Sequence, residues 1–236
     1  MTRRRWIADE FTTDRASLAG EHAAHLSRTL RARVGQEFEV ACGDQLRRAT
    51  VSSVTDDRVE FTLAEEITAH AALPITLLLA IFKFDRMEWA IEKCTELNVT
   101  NIVPVIARRT EKHLAAAAGK RVERWRRIAH EAAQQSRRLS APEIAMPQKL
   151  GDTLQCDGEL KIVLAENERG MTLSEVLRSR ASGSLALAVG PEGGWTSDEL
   201  DEFARARWMA ASLGETILRA ETAAIAALAI TRAELG

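Results

Sequence analysis

The chain has 236 residues, 46% hydrophobic and 28% charged, with 32 Lys/Arg against 34 Asp/Glu and a formal net charge of −2. This is the balance of an ordinary soluble globular protein, long enough for a small domain plus a medium one, and no apolar run reaches the ~18 residues that span a bilayer. The basic start Arg3-Arg4-Arg5 meets Asp9 and Glu10 in place of a signal-peptide core, so a cytoplasmic location is expected. Cys42, Cys94 and Cys156 are odd in number and scattered, which argues against a disulfide framework and against a zinc site, so no metal is expected.

Residues 1 to about 72 read as a small β-rich module. Glu37–Ala41 and Val59–Leu63 alternate apolar and polar side chains with the period of half-exposed strands, and Cys42-Gly43-Asp44 and Thr55-Asp56-Asp57 supply turn signals. Glu21 to Arg33 reads as a helix, on which His25, Arg28 and Arg31 would share one face. That face suits phosphate contacts, or else it is simply the solvated side of a helix packed through Leu26 and Leu30.

After Ala71-Ala72-Leu73-Pro74 the pattern changes. Ile75–Phe82 is a continuous apolar run of the kind buried on both faces of a parallel sheet, and strands and helices then alternate, which predicts an α/β domain. The predicted order is helix Asp85–Leu97, strand Asn101–Ile106 with Pro104 marking an edge or bulge, and a long helix that follows Gly119-Lys120 and runs to about Leu139. Strand Leu160–Glu166, helix Thr172–Arg180, strand Leu185–Val189, helix Ser197–Arg207, strand Met209–Leu213 and helix Glu221–Leu235 complete it. From Lys83 to Arg138 thirteen Lys/Arg face seven Asp/Glu, whereas from residue 150 onward eight face fourteen. Either the basic part meets nucleic acid and the acidic part a small molecule, or both are solvated helix surfaces.

The chemistry centres on Gly190-Pro191-Glu192-Gly193-Gly194, between a strand and the Thr196-x-x-Glu199 capping box of a helix. Such a turn sits where α/β proteins hold ligands. It is a poor phosphate nest: Pro191 lacks an N–H, Glu192 places a carboxylate there, and the spacing is neither that of a P-loop nor that of a dinucleotide fold. A neutral or cationic ligand read by backbone groups suits it better.

This turn, followed by Leu213-Gly214 and Ile217-Leu218-Arg219-x-Glu221-Thr222-Ala223, resembles the bacterial 16S ribosomal RNA uridine-N3 methyltransferases of the SPOUT superfamily. Lys83-x-x-Arg86-Met87-Glu88, Glu92-Lys93-x-x-Glu96-Leu97 and Glu131–Ser136 with Arg138 extend the likeness over nearly the whole chain. Asn98 and Glu215 depart from it: the family usually has glycine at the first and a basic or small residue at the second. The resemblance implies a PUA-like RNA-binding barrel over residues 1–72 and a SPOUT domain with a parallel sheet and a C-terminal trefoil knot over 73–236. It implies a cytoplasmic homodimer that uses S-adenosyl-L-methionine to methylate N3 of a specific uridine in 16S rRNA, on the small ribosomal subunit. The alternative is an inactive RNA-binding or ribosome-assembly protein on the same scaffold.

Carried over residue by residue, three segments would form the cofactor cradle: Leu164 and Glu166; Gly190, Pro191, Glu192, Gly193 and Gly194; and Leu213, Gly214, Ile217, Leu218 and Thr222. Arg219 is the expected catalytic arginine, stabilising charge on the uridine oxygens, with Glu221 orienting it. An ion pair of Arg219 with Glu221 or Glu192 is the plainer reading of that arginine. RNA contacts are expected from Arg3, Arg4, Arg5, His25, Arg28 and Arg31, and from Lys83, Arg86, Lys93, Arg108, Arg109 and Arg138.

Overall fold

The computed structural model describes residues 5–68, 73–168, 170–179 and 183–235, which fall into two compact units. The first comprises Met1–Ala71 with Ala133–Ala141 and the second Ala72–Ala132 with Pro142–Gly236. Arg3, Arg4, the Ala71-Ala72 junction and Arg180 lie outside the described residues.

The first unit contains β1 (Trp6–Ile7), β2 (Glu10–Phe11), β3 (Arg15–Ala19), α1 (Gly20–Ala24), β4 (Glu37–Cys42), β5 (Gln45–Val54) and β6 (Arg58–Ile67). Its sheet runs β1-β4-β5-β6-β3-β2, antiparallel except for the β1–β4 pair. The segment 6–11 reaches both sides of this sheet: Ala8 N–H bonds Ala41 O of β4, and Asp9 N–H bonds Ser17 O of β3. The sheet is therefore curled. Alternating Val59, Phe61 and Leu63 point inward with Trp6, Leu18, Leu26 and Val40.

The predicted Glu21–Arg33 helix is shorter and of another kind. After α1 the chain widens into a π-helical turn, His25–Thr29, in which Leu30 N–H reaches back to His25 O. Arg31 then takes a positive φ of 52°, outside the helix, and Leu30 is exposed. His25, Arg28 and Arg31 do not share a helical face.

The second unit begins with β7 (Ile75–Ala80), α2 (Phe84–Glu96), β8 (Asn101–Ile106), α3 (Lys112–Ala118) and α4 (Val122–Gln135). It continues through β9 (Glu143–Ile144), β10 (Gln148–Lys149), α5 (Leu150–Thr153), β11 (Leu160–Leu164) and α6 (Leu173–Ser179). It ends with β12 (Leu185–Val189), α7 (Ser197–Arg205), β13 (Met209–Ala211) and α8 (Ala220–Leu235). The sheet is parallel throughout, in the order β10-β8-β7-β12-β11-β13, with β9 also on β8. This is an α/β fold. Ile75, Leu77 and Leu79 pack under α2, α4, α6 and α8, while Leu78 and Ala80 pack on the other face with Leu150, Phe203 and Trp208. Burial on both faces explains the unbroken apolar run.

Pro104 is not on an edge. It pairs with Leu79, and on its other side β9 ends at Ile102 and β10 begins at Val105. Its missing N–H falls in that gap, where no ladder bond is lost. Asn98 has φ 72°, a left-handed position that asparagine tolerates. Among the described residues no helix is long and apolar enough to cross a membrane.

Candidate active site

The carboxyl ends of β11, β12 and β13 open into one hollow of about 360 Å³. Three loops wall it: Leu164–Asn167, Val189–Trp195 and Ala211–Leu218, with the start of α8 at Ala220 and Ala223. Of the residues expected to cradle a cofactor, all line this hollow except Thr222, which is exposed on α8. Segments that lie far apart in sequence thus meet because parallel strands deliver their C-termini to one side of a sheet.

The glycine turn is held from within. Gly194 N–H bonds Pro191 O at 2.8 Å, and Gly194 takes φ +69°, a conformation costly for any residue with a Cβ. A Cβ on Gly190 would stand 3.2 Å from Trp195 Nε1, so any larger residue here would crowd the indole. Trp195 stacks edge-on against Phe203, and Phe203 against Trp208, which fixes the floor beneath the turn.

The predicted capping box at the start of α7 is present. Thr196 Oγ1 accepts from Glu199 N–H, and Glu199 Oε2 accepts from Thr196 N–H. The other oxygen of Glu199, a residue only 1% exposed, accepts the Arg108 backbone N–H at 2.8 Å. One buried carboxylate therefore couples the loop after β8 to the loop after β12. The capping spacing foretells the first of these bonds and nothing in the sequence the second.

Arg86 and Arg109, expected from sequence as RNA contacts, lie at this site. Arg86 of α2 donates to Glu192 Oε1 at 3.1 Å, with its Nε 3.8 Å from Glu221 Oε1. Arg109 lines the hollow and donates to Gly193 O. Glu221 is 5% exposed, and its Oε2 is buried without a hydrogen-bond partner. Arg219 is exposed and has no ion-pair partner among the described residues, while Arg86 meets the carboxylates of Glu192 and Glu221.

The other basic residues separate by what holds them. In the first unit Arg5 donates to Arg137 O and lies 3.5 Å from Glu39, His25 packs its ring on Trp6, and Arg28 pairs with Asp56 at 3.1 Å. Burial pushes the Arg138 guanidinium down to about 10. In the second unit Lys93 is held by Glu92 and Glu96, and Arg108 by Asp198, while Lys83 stands exposed just before α2.

A parallel sheet with a three-loop hollow at its carboxyl ends is the α/β class of fold, with its cavity where such proteins place ligands. The family profile described as RNA methyltransferase domain matches residues 69–232. Ribosomal RNA small subunit methyltransferase E of Rickettsia conorii is 32% identical over 91% of this chain and 88% of its own length. The protein of the same name from Bacillus subtilis is 32% identical over 90% of this chain and 87% of its own. The crystal structure of a ribosomal RNA small subunit methyltransferase E from Neisseria gonorrhoeae bound to S-adenosyl methionine superposes with TM-score 0.87, at 30% identity, covering 99% of this chain and 98% of that one. The chain belongs to the ribosomal RNA small subunit methyltransferase E family, and it is an rRNA methyltransferase.

Proposed function

We propose that the hollow holds S-adenosyl-L-methionine and that the enzyme methylates N3 of a specific uridine in 16S rRNA on the assembled small subunit. The observation that carries this reading is the convergence of Leu164–Asn167, Val189–Trp195 and Ala211–Leu218 on one cavity. About 360 Å³ is within the range that encloses a small cofactor. Leu164, Leu213 and Leu218 offer an apolar slot for an adenine, with loop N–H and C=O groups at its edges. Glu166 and Glu215 give the walls the negative charge that a sulfonium favours and a phosphate does not.

The bound group would supply an electrophilic methyl. The chain's own residues supply position, a water-poor surface and charge stabilisation. Arg219, exposed beside the hollow and unpaired, is placed to meet negative charge on the uridine oxygens as the N3 proton leaves. Glu221 acts through Arg86, not directly on Arg219, because the nearest cation to it is the Arg86 guanidinium.

The curled first sheet, reached on both sides by residues 6–11, supports a PUA-like RNA-binding barrel over residues 1–72. Among the solvent-facing cations, Arg28, Arg31 and, in the second unit, Lys83 are those from which RNA contacts are drawn. A trefoil knot in the domain 73–236 is supported by the path after β13. Ser212 exchanges backbone bonds with Met171 and Leu173, yet the chain then returns to α8 packed on α2 and β12. Partly exposed Ile225, Ala226 and Ile230 on α8 suit a second copy of this chain, a homodimer working in the cytoplasm.

Titration calorimetry with S-adenosylmethionine tests the cofactor. One-site binding that weakens on Leu218→Glu substitution in the slot is expected, and no heat of binding to the intact chain removes the reading.

A further inference from the structure

The ligand proposed above carries three charges: a sulfonium, an ammonium and a carboxylate. The walls of the hollow hold one cationic side chain, Arg109, and three carboxylates, those of Glu166, Glu192 and Glu215. Glu192 is already matched by Arg86. Arg109, Glu166 and Glu215 have no ion-pair partner among the described residues. Two free acids and one free base are the complement of two cations and one anion.

We infer that Arg109 forms a carboxylate-binding subsite of the hollow, reading the amino-acid end of the methyl donor. The inference rests on the reading of the hollow as an S-adenosylmethionine site. Arg109 is fixed for this task on two sides. The backbone of its neighbour Arg108 is bonded to the buried carboxylate of Glu199, which anchors the loop to the cap of α7. Its own Nη1 donates to Gly193 O, laying the side chain along the glycine turn. A Cβ on Gly193 would stand 3.1 Å from Arg109 Cδ, so the glycine leaves that path open. A guanidinium so held keeps further N–H donors for a carboxylate, which it can grip through two oxygens. The guanidinium and the Glu166 carboxylate flank the same glycine: a Cβ on Gly194 would stand 4.0 Å from Arg109 Nη1 and 3.9 Å from Glu166 Oε1. This places a donor for the carboxylate next to an acceptor for the ammonium, the pairing an α-amino acid presents.

Calorimetry of the full chain with S-adenosylmethionine and with its decarboxylated analogue tests this without turnover. The intact chain is expected to bind the decarboxylated compound ~10–100-fold more weakly, the range of a charge-assisted hydrogen bond. Arg109→Gln is expected to lose that preference, giving a ratio of about 1, and Arg109→Lys to keep part of it. Because Arg109 is exposed, the variants keep the fold, checked by an unchanged circular dichroism spectrum. Equal binding of both compounds by the intact chain overturns the subsite. So does an Arg109→Gln variant that keeps the preference and loses only RNA affinity, which makes Arg109 a phosphate contact. If the intact chain binds neither compound, the methyl-donor reading itself falls, and the subsite with it.

Discussion

Arg86 Nη1 donates to Oε1 of Glu192 across 3.1 Å and 106 residues of chain. The same guanidinium stands 3.8 Å from the buried carboxylate of Glu221, so one side chain of α2 ties the glycine turn to the first turn of α8. By sequence alone Arg86 is an expected RNA contact. Its contacts with Glu192, which lines the hollow, and with Glu221 suit a residue that positions the glycine turn.

Removing Arg86 leaves Glu221 buried and uncompensated. Arg86→Gln is expected to lower stability by ~1–3 kcal/mol, measured as a shift of the urea midpoint at constant slope. Adding Glu221→Gln should recover part of that loss, because the stranded charge is gone. Additive effects in the double variant would mean that the two residues do not interact.

Arg219 is unpaired and sits beside the hollow without lining it. Arg219→Ala should therefore leave S-adenosylmethionine affinity unchanged and reduce single-turnover methyl transfer by ~10²–10³-fold, the range for one lost oxyanion donor. Unchanged turnover would take Arg219 out of the mechanism.

Gly194 holds φ +69°, with nothing nearer than 3.9 Å to an added Cβ. Gly194→Ala should cost ~1–2 kcal/mol from backbone strain alone, read by thermal or urea unfolding. Gly151, which has open space and no positive φ, is the control, and Gly151→Ala should not destabilise. Equal effects at both positions would show that the left-handed turn is not the source.

Glu234 near the end of α8 is held below the ordinary carboxylate value by hydrogen bonds from Arg178 first and then Ser174 on α6. A carboxyl depressed in the folded state contributes stability above its unfolded value and loses it as pH falls through the folded one. The α6–α8 tie should therefore be intact at neutral pH and still present at the ordinary carboxylate value of 4.5, opening only as pH falls through the depressed one, with faster amide exchange in the last turn of α8. Glu234→Gln should remove the acid step. An identical acid profile in the variant would show that another group titrates.

Much of the fold is legible because burial writes itself into residue order. The Ile75–Phe82 run, the alternation at Val59–Leu63 and the Thr196-x-x-Glu199 box predict what forms. What local pattern does not show is pairing across the chain. Pro104 signals an edge by itself, and only the β9–β10 gap beside β8 explains its interior place. The π-helical turn at His25–Thr29 closes its hydrogen bond one residue further along than an α-helix does, which thirteen residues of mixed polarity do not encode. No predicted element covers Lys112–Ala118, which forms α3, because its alanines carry no apolar stripe to read. At the site, the glycine turn and the Leu213 loop are visible as motifs, while the roles of Arg86, Arg109 and Glu199 depend on contacts between elements far apart in sequence.

The most direct test is transfer of labelled methyl from S-adenosylmethionine to small ribosomal subunits lacking the modification, followed by nucleoside mass spectrometry. The account predicts 3-methyluridine at a single 16S rRNA position, with less product on naked rRNA. Label on another base, or none on either substrate with an active methyl donor present, would contradict it.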